Sequence, residues 1–128
     1  MTQAVEIAES VAQVGEELAD FIQRHPKLWV ITGAGVSTDS GIPDYRDADG
    51  QWKRPPPLQH GDFMSSHHVR QRYWARALIG FSAMREAQAS GAHRALAALE
   101  SQGYIQQLVT QNVDRLHQRA GSRRVIDL

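Results

Sequence analysis

The chain has 128 residues, 41% hydrophobic and 22% charged, which suits one domain of ordinary size. Fourteen basic side chains balance fourteen acidic ones, excluding a nucleic-acid or membrane-surface partner captured by bulk charge. No run reaches the ~18 apolar residues of a membrane span, the opening MTQAVEIAES lacks the basic start of a secretory leader, and the absence of cysteine excludes disulfides and thiolate metal sites, so the default expectation is a soluble cytoplasmic protein.

Residues 7–24 predict an amphipathic helix. Ile7, Val11, Val14, Leu18, Phe21 and Ile22 recur at helical spacing, with Glu6, Glu9, Glu16, Glu17 and Asp20 between them. His25-Pro26 closes it, because the residue before proline is driven out of the helical region. Residues 28–31 form a short unbroken apolar run, the pattern of a strand covered on both faces in a parallel sheet. After Gly33-Ala34-Gly35 comes a segment, about 39–62, with little helical periodicity. It holds Asp39, Asp44, Asp47, Asp49, Gly50 and the prolines 55–57, and loops of that length are commonly functional lids or linkers.

Residues 66–88 predict a longer helix, with Val69, Tyr73, Trp74, Ala77, Leu78, Phe81 and Met84 on or near one face. Residues 92–102 predict another, carrying Leu96 and Leu99 and stopped by Gly103. Residues 105–110 are a strand candidate ending in Gln111-Asn112, 113–119 a short helical turn ending at Gly121, and 125–128 a third strand. This alternation predicts an α/β fold, a parallel sheet with flanking helices. The chain stops at Leu128 inside what reads as a buried strand. Termini normally fall on exposed polar sequence, so the expectation is a chain cut short.

A strand followed by Gly-x-Gly and a helix start offers backbone N–H groups and a helix dipole to a pyrophosphate. Gly33-Ala34-Gly35 has that setting. A full dinucleotide fingerprint also wants glycine at position 38, where this chain has Thr38, and an acid ending the second strand, where it has Thr110-Gln111-Asn112. By itself the turn fits a cofactor cradle and a plain strand-to-helix turn equally.

GAGVSTDSGIPDYR (33–46) together with TQNVDRLHQRAG (110–121) resembles the sirtuin family of NAD-dependent protein deacylases. The shared elements are Gly-Ala-Gly-x-Ser, Gly-Ile-Pro-Asp-Phe/Tyr-Arg and Thr-Gln-Asn-hydrophobic-Asp, followed by Leu-His and Ala-Gly. RQRYWARALIGF (70–81) and AGSRRVIDL (120–128) are similar to a subgroup with a mitochondrial sirtuin and its bacterial relatives. The resemblance implies that residues 1–128 are the N-terminal portion of a Rossmann-like NAD-binding domain. Its partial parallel sheet stops before the zinc ribbon and the second half of the sheet, and the loop at about 39–62 closes over NAD as a lid.

The same resemblance implies cofactor-binding positions at Gly33, Ala34, Gly35, Ser37 and Thr38. It places Ile42, Pro43 and Asp44 along a nicotinamide pocket, Tyr45 over the nicotinamide ribose, and Arg46 ordering the loop around phosphate and ribose. Asp114 is implied to hydrogen-bond the nicotinamide carboxamide, Gln111 to touch ribose, and Asn112 to act catalytically by positioning a water or the reacting C1′. The residue types leave Asn112 and Asp114 another reading, as caps of the turn at 113–119. Tyr73 and Arg76 resemble a Tyr-x-x-Arg pair in the acyl pocket of sirtuins that remove acidic acyl groups, where a guanidinium holds a carboxylate bidentately. A packed Tyr73 and a solvated Arg76 on an amphipathic helix is the plainer reading of the pair.

The reaction implied is transfer of a lysine-bound acyl group to ADP-ribose, with nicotinamide released and an acylated-lysine protein as partner. In the family a histidine base follows directly after a segment like VIDL, which here falls just past Leu128. The six histidines present do not replace it by position. His117 matches a structural family histidine, His93 starts a helix, and His25, His60, His67 and His68 border helices and loops. A metal site from His60, His67 and His68 is disfavoured, since neighbouring histidines on one helix point apart. The chain alone is therefore expected to lack turnover, to bind no metal, zinc belonging to the missing C-terminal part, and to be marginally stable with an exposed sheet edge. Two alternatives stay open here, protein ADP-ribosyl transfer and a non-catalytic NAD-binding or interaction module.

Overall fold

The computed structural model describes residues 2–47, 49–53 and 57–128; residues 1, 48 and 54–56 and the side chains of 2–6 lie outside the described set, among them Glu6 and two of the three loop prolines. Helix α1 (Thr2–Arg24) begins earlier than the periodicity predicts and stops ahead of His25-Pro26, as the pre-proline restriction requires. The His25 ring stacks on Phe21 at 4.3 Å, with its Nδ1 2.9 Å from the Phe21 carbonyl. Most of the apolar stripe of α1 lacks cover among the described residues: Ile7, Val11, Val14, Leu18 and Phe21 are exposed, and Ile22 is half-buried.

Three parallel strands follow in the order β1-β2-β3. Strands β1 (Leu28–Thr32) and β2 (Ile105–Thr110) pair from Trp29↔Gln107 to Thr32↔Thr110, with an irregularity ahead of Trp29. Strand β3 (Val125–Asp127) pairs with the end of β2, from Leu108↔Val125 to Thr110↔Asp127. Between the strands lie a 3-10 helix (Ala34–Ser40), α2 (His60–Ser65), α3 (His67–Glu86), α4 (Gly91–Ser101) and α5 (Leu116–Arg119). Gly103, at φ +87°, ends α4 in a reversing turn: Tyr104 N–H donates to Leu99 O at 3.0 Å and Gly103 N–H to Glu100 O at 2.9 Å. The result is the partial Rossmann-like α/β sheet that the alternation predicts. No helix among the described residues is long and apolar enough to cross a membrane.

Several local expectations are corrected. The run at 28–31 is not covered on both faces. Side chains alternate along a strand, so Leu28, Val30 and Thr32 are half-buried on the side where α4 packs on β2, while Trp29 and Ile31 are 74% and 73% exposed. The third strand is an edge rather than a buried strand, with Val125 half-buried and Ile126 and Leu128 exposed. The irregular loop is shorter than 39–62, because the 3-10 helix runs to Ser40 and α2 starts at His60. The predicted helix at 66–88 is split from α2 at Ser66, whose hydroxyl accepts from Val69 N–H at 3.4 Å and caps α3. Of the apolar face expected on α3, only Val69 and Met84 are half-buried; Tyr73, Trp74, Ala77, Leu78 and Phe81 are exposed.

The buried apolar core is small: Ile105, Leu108, Leu116 and Ala87. Beside it lies a larger buried polar set, namely Ser37, Ser90, His93, Thr110, Asp114, His117 and Ser122. Leu108, 0% exposed at the centre of the middle strand, anchors the apolar part. Leu108→Ala is expected to cost about 2–5 kcal/mol, measured as a lowered urea-unfolding midpoint.

Candidate functional site

Parallel register makes Thr32 and Thr110, the last residues of β1 and β2, direct partners. The chain leaves both strands into polar turns at the same edge of the sheet, where open α/β sheets bind ligands. Gln111 N–H donates to Thr32 O at 3.1 Å. Asn112 spans the two turns, its Nδ2 donating to Gly33 O at 3.0 Å and to Ser37 Oγ at 3.2 Å. Ser37 in turn donates to Asp114 Oδ2 at 2.6 Å, while Asp114 Oδ1 accepts from Leu116 N–H at 2.9 Å. Asp114 thus caps the turn into α5 and also anchors Ser37. Asn112 spends its amide on the glycine turn rather than on the turn it precedes. Between them and α5, Arg115 holds φ +63°, a strained value for a residue with a side chain, and its guanidinium pairs with Asp127 at the end of β3.

Two buried histidines support this joint. His93 is the third residue of α4, and its Nδ1 accepts from Ser90 N–H at 3.1 Å while Ser90 Oγ accepts from His93 N–H at 3.4 Å. This is a capping box with histidine in the usual glutamate place. Because Nδ1 accepts, the neutral ring carries its proton on Nε2, 3.5 Å from Ser37 Oγ. The Thr32 hydroxyl donates to Thr110 Oγ1 at 2.9 Å, so it accepts from His117 Nε2–H at 2.8 Å. His117 Nδ1 is then left without a partner among the described residues. The two imidazoles meet edge to face at 4.7 Å. Burial pushes both below the usual histidine range. For His93 the Asp114 charge opposes this and Arg94 adds to it; for His117 the neighbouring His93 adds, and Asp114 and Asp127 oppose. Both act as neutral donors within a packed polar core.

Next to the glycine turn is a cavity of about 350 Å³. Ala34, Gly35 and Gln111 line it from the strand ends; Asp44, Tyr45, Arg46, Trp52 and Pro57 line it from the loop. A second, more apolar cavity of about 280 Å³ opens between loop residues 41–45 and Gly80, Ala83 and Met84 of α3. Asp44 and Tyr45 belong to both. Asp44 is neutralised by Lys53, 2.5 Å away.

The structure therefore gathers Ala34, Gly35, Asp44, Tyr45, Arg46 and Gln111 around the first cavity and Ile42 and Pro43 around the second. Gly33, Ser37, Asn112 and Asp114 line neither and are linked to one another by hydrogen bonds. Thr38 is exposed, its hydroxyl donating to Gly35 O at 3.0 Å. Tyr73 and Arg76 line neither cavity: Tyr73 packs edge-on against Phe63 and Trp74 at 5.2 and 5.3 Å, and Arg76 is exposed. The helix expected after the glycine turn is a 3-10 helix of seven residues ending at Gly41. So short an element has little macrodipole to offer an anion. Sequence reasoning missed Thr32, Ser90, His93 and Trp52. Ser-x-x-His at 90–93 has capping-box spacing, a signal that was available; Trp52 follows a Gly50 turn, at hairpin distance from Arg46.

The histidines make stability depend on pH with a definite sign. An unfolded imidazole titrates near 6.5, whereas these folded ones titrate lower, so the unfolded chain binds more protons in that window. Their contribution is complete above pH ~6.5 and is lost as pH falls through the folded values. The urea midpoint is expected to be lower at about pH 5.5 than at about pH 7.5, with His93→Gln narrowing that difference.

The Sir2 family model matches residues 33–128. A Xanthomonas campestris pv. campestris (strain 8004) protein named NAD-dependent protein deacetylase is 55% identical over 119 residues, 93% of this chain and 41% of that protein. A Monosiga brevicollis protein named NAD-dependent protein deacylase SIR4 is 46% identical over 129 residues, 99% of this chain and 41% of the relative. A solved Sir2–p53 peptide–NAD+ complex superposes with a TM-score of 0.73 at 40% identity, covering 88% of this chain and 44% of that one. The chain spans about two fifths of the length of these curated relatives. With the family match running through both strand-end motifs and their hydrogen-bonded joint, the chain belongs to the Sir2 family, the sirtuins.

Proposed function

We propose that the complete protein is an NAD-dependent protein-lysine deacetylase or deacylase, and that this chain forms the pyrophosphate and nicotinamide side of its NAD site. The observation that carries the reading is the union of the two strand-end motifs by Asn112, Ser37 and Asp114 next to a cavity lined by Gly35, Arg46 and Gln111. The names of the relatives support the same chemistry.

The residues present fit the cofactor. Gly35 does not have a left-handed backbone, and a Cβ there would meet no atom within 4 Å. The backbone there is therefore open to close approach by a bound group. Arg46 supplies the charge complement to a diphosphate, and Lys53 cancels the carboxylate that would oppose it. When bound, NAD supplies an electrophilic ribose C1′, from which nicotinamide departs as the acyl oxygen of a substrate lysine attacks.

In this reading the Gly33–Gly35 backbone and Arg46 hold the diphosphate, with Ser37 and Thr38 shaping the turn. Ile42, Pro43 and Asp44 border the nicotinamide, and Tyr45, at the junction of the two cavities, covers the ribose and excludes water. Gln111 contacts the ribose. Asn112, its amide fixed by two hydrogen bonds, orients the reacting centre. Asp114 meets the carboxamide while holding Ser37 in place. The chain contributes orientation and placed dipoles, which supply the largest part of such a barrier reduction. His93 and His117 are not assigned as the base, since burial lowers the proton affinity of both, each Nε2 faces a hydroxyl of the core, and neither residue lines a cavity. We assign the histidine base, like the zinc of the family, to residues outside these 128, so turnover on an acylated-lysine protein belongs to the complete protein.

Incubated with NAD and an acetyl-lysine peptide, the complete protein is expected to release nicotinamide and O-acyl-ADP-ribose in equal amounts. Asn112→Ala is expected to lower kcat by roughly a hundredfold or more, and the 128-residue chain alone to give no turnover. Labelled ADP-ribose retained on a protein, with none freed as the acyl ester, would replace deacylation by ADP-ribosyl transfer. Gly35→Ala is expected to weaken NAD binding by about tenfold or more while leaving Tm unchanged.

A further inference from the structure

We propose that Trp52, which has no part in the mechanism above, is the positioning residue for Arg46: its indole face holds the guanidinium at the cavity, already oriented for the diphosphate of a dinucleotide. The inference rests on the reading of that cavity as the NAD site.

The Arg46 Cζ lies 4.1 Å from the Trp52 ring centroid, and both residues line the 350 Å³ cavity. They are also antiparallel bridge partners across a tight turn. That turn closes on its own groups. Asp47 N–H donates to Gln51 O at 2.9 Å, Lys53 N–H donates to Tyr45 O at 3.0 Å, and Gly50 takes φ +77°. Asp47 Oδ1 accepts from the N–H groups of Asp49 and Gln51 at 3.0 and 2.8 Å. One N–H of Arg46 donates to Gly50 O at 2.9 Å. An otherwise irregular loop thus contains a clip whose two ends are a cation and the ring beneath it.

Stacking occupies the guanidinium face and leaves its edge, where the donors lie, for an anion. A single hydrogen bond among the described residues spends one donor of the five. An unrestrained arginine gives up rotamer freedom when it binds a phosphate; one held by a ring has given it up beforehand. Among the described residues lining the cavity, Arg46 is the only cation, and the one acid, Asp44, is paired with Lys53. The pose of Arg46 therefore decides how the anionic part of a ligand is met.

The test uses the complete protein, with ADP-ribose and nicotinamide as separate calorimetric probes. Trp52→Leu, which keeps bulk but removes the π face, is expected to weaken ADP-ribose binding by roughly three- to thirtyfold. Trp52→Tyr, which keeps a face, is expected to weaken it by less than about threefold. Nicotinamide alone, with no phosphate, is expected to bind both variants like wild type. In an Arg46→Ala background Trp52→Leu is expected to add no further loss, as coupling through the guanidinium requires. Wild-type affinity in Trp52→Leu, equal losses in the Leu and Tyr variants, or an undiminished loss in the Arg46→Ala background each overturns the proposal while leaving the NAD site standing. Failure of wild type to bind ADP-ribose removes the site reading and this inference with it.

Discussion

Between the turns that follow β1 and β2, the Ser37 hydroxyl donates to Asp114, accepts from Asn112 and lies within reach of His93. A hydroxyl has one proton and two lone pairs, so these partners exhaust it. It is 0% exposed, and a buried hydroxyl lacking its partners would pay the desolvation of an unmet polar group. This joint makes two segments far apart in sequence behave as one surface. Asn112 reaches Gly33 and Ser37 with one amide, and Ser37 is held by a carboxylate that also starts α5.

Among the described residues, the buried polar set around that joint outnumbers the buried apolar residues beneath it. Most of its members are paired, Ser90 with His93, His117 with the half-buried Thr32 and Ser37 with Asp114, while His117 Nδ1 and Ser122 Oγ have no partner among the described residues. Low dielectric strengthens each bond and penalises each unmet atom, so such a network rigidifies a site when it is satisfied. The same low dielectric keeps the two imidazoles uncharged. A proton on either would have to sit beside the other ring, with Asp114 as the nearest compensation.

The loop after the glycine turn is ordered differently. The described residues of 41–59 have no regular element, yet those between Tyr45 and Lys53 are joined by local bonds, a cation over a ring and an ion pair. Local closure of this kind loses little entropy, because the groups it joins are close in sequence. It lets the segment hold its own shape without a regular element.

The sequence by itself determined the elements and the strand-end motifs. Proline after His25, glycine at 103, the apolar run at 28–31 and the strand candidate at 105–110 act through local sterics and solvation, which need no partner to be legible. The fold class was readable in the same way from the alternation of elements, whereas GAGVSTDSGIPDYR and TQNVDRLHQRAG were readable through their resemblance to a known family. Only the tertiary structure decided which apolar faces are covered, since Trp29 and Ile31 carry the same side-chain chemistry as Leu108 but look the other way from the helix that packs on the sheet. It also decided that His93 and His117 are buried donors, that Asp114 serves two turns at once, and that Trp52 stands under Arg46. Each of these depends on which strand lies beside which and on how a turn closes, and long-range pairing of that kind is set by packing rather than by any local pattern of residues.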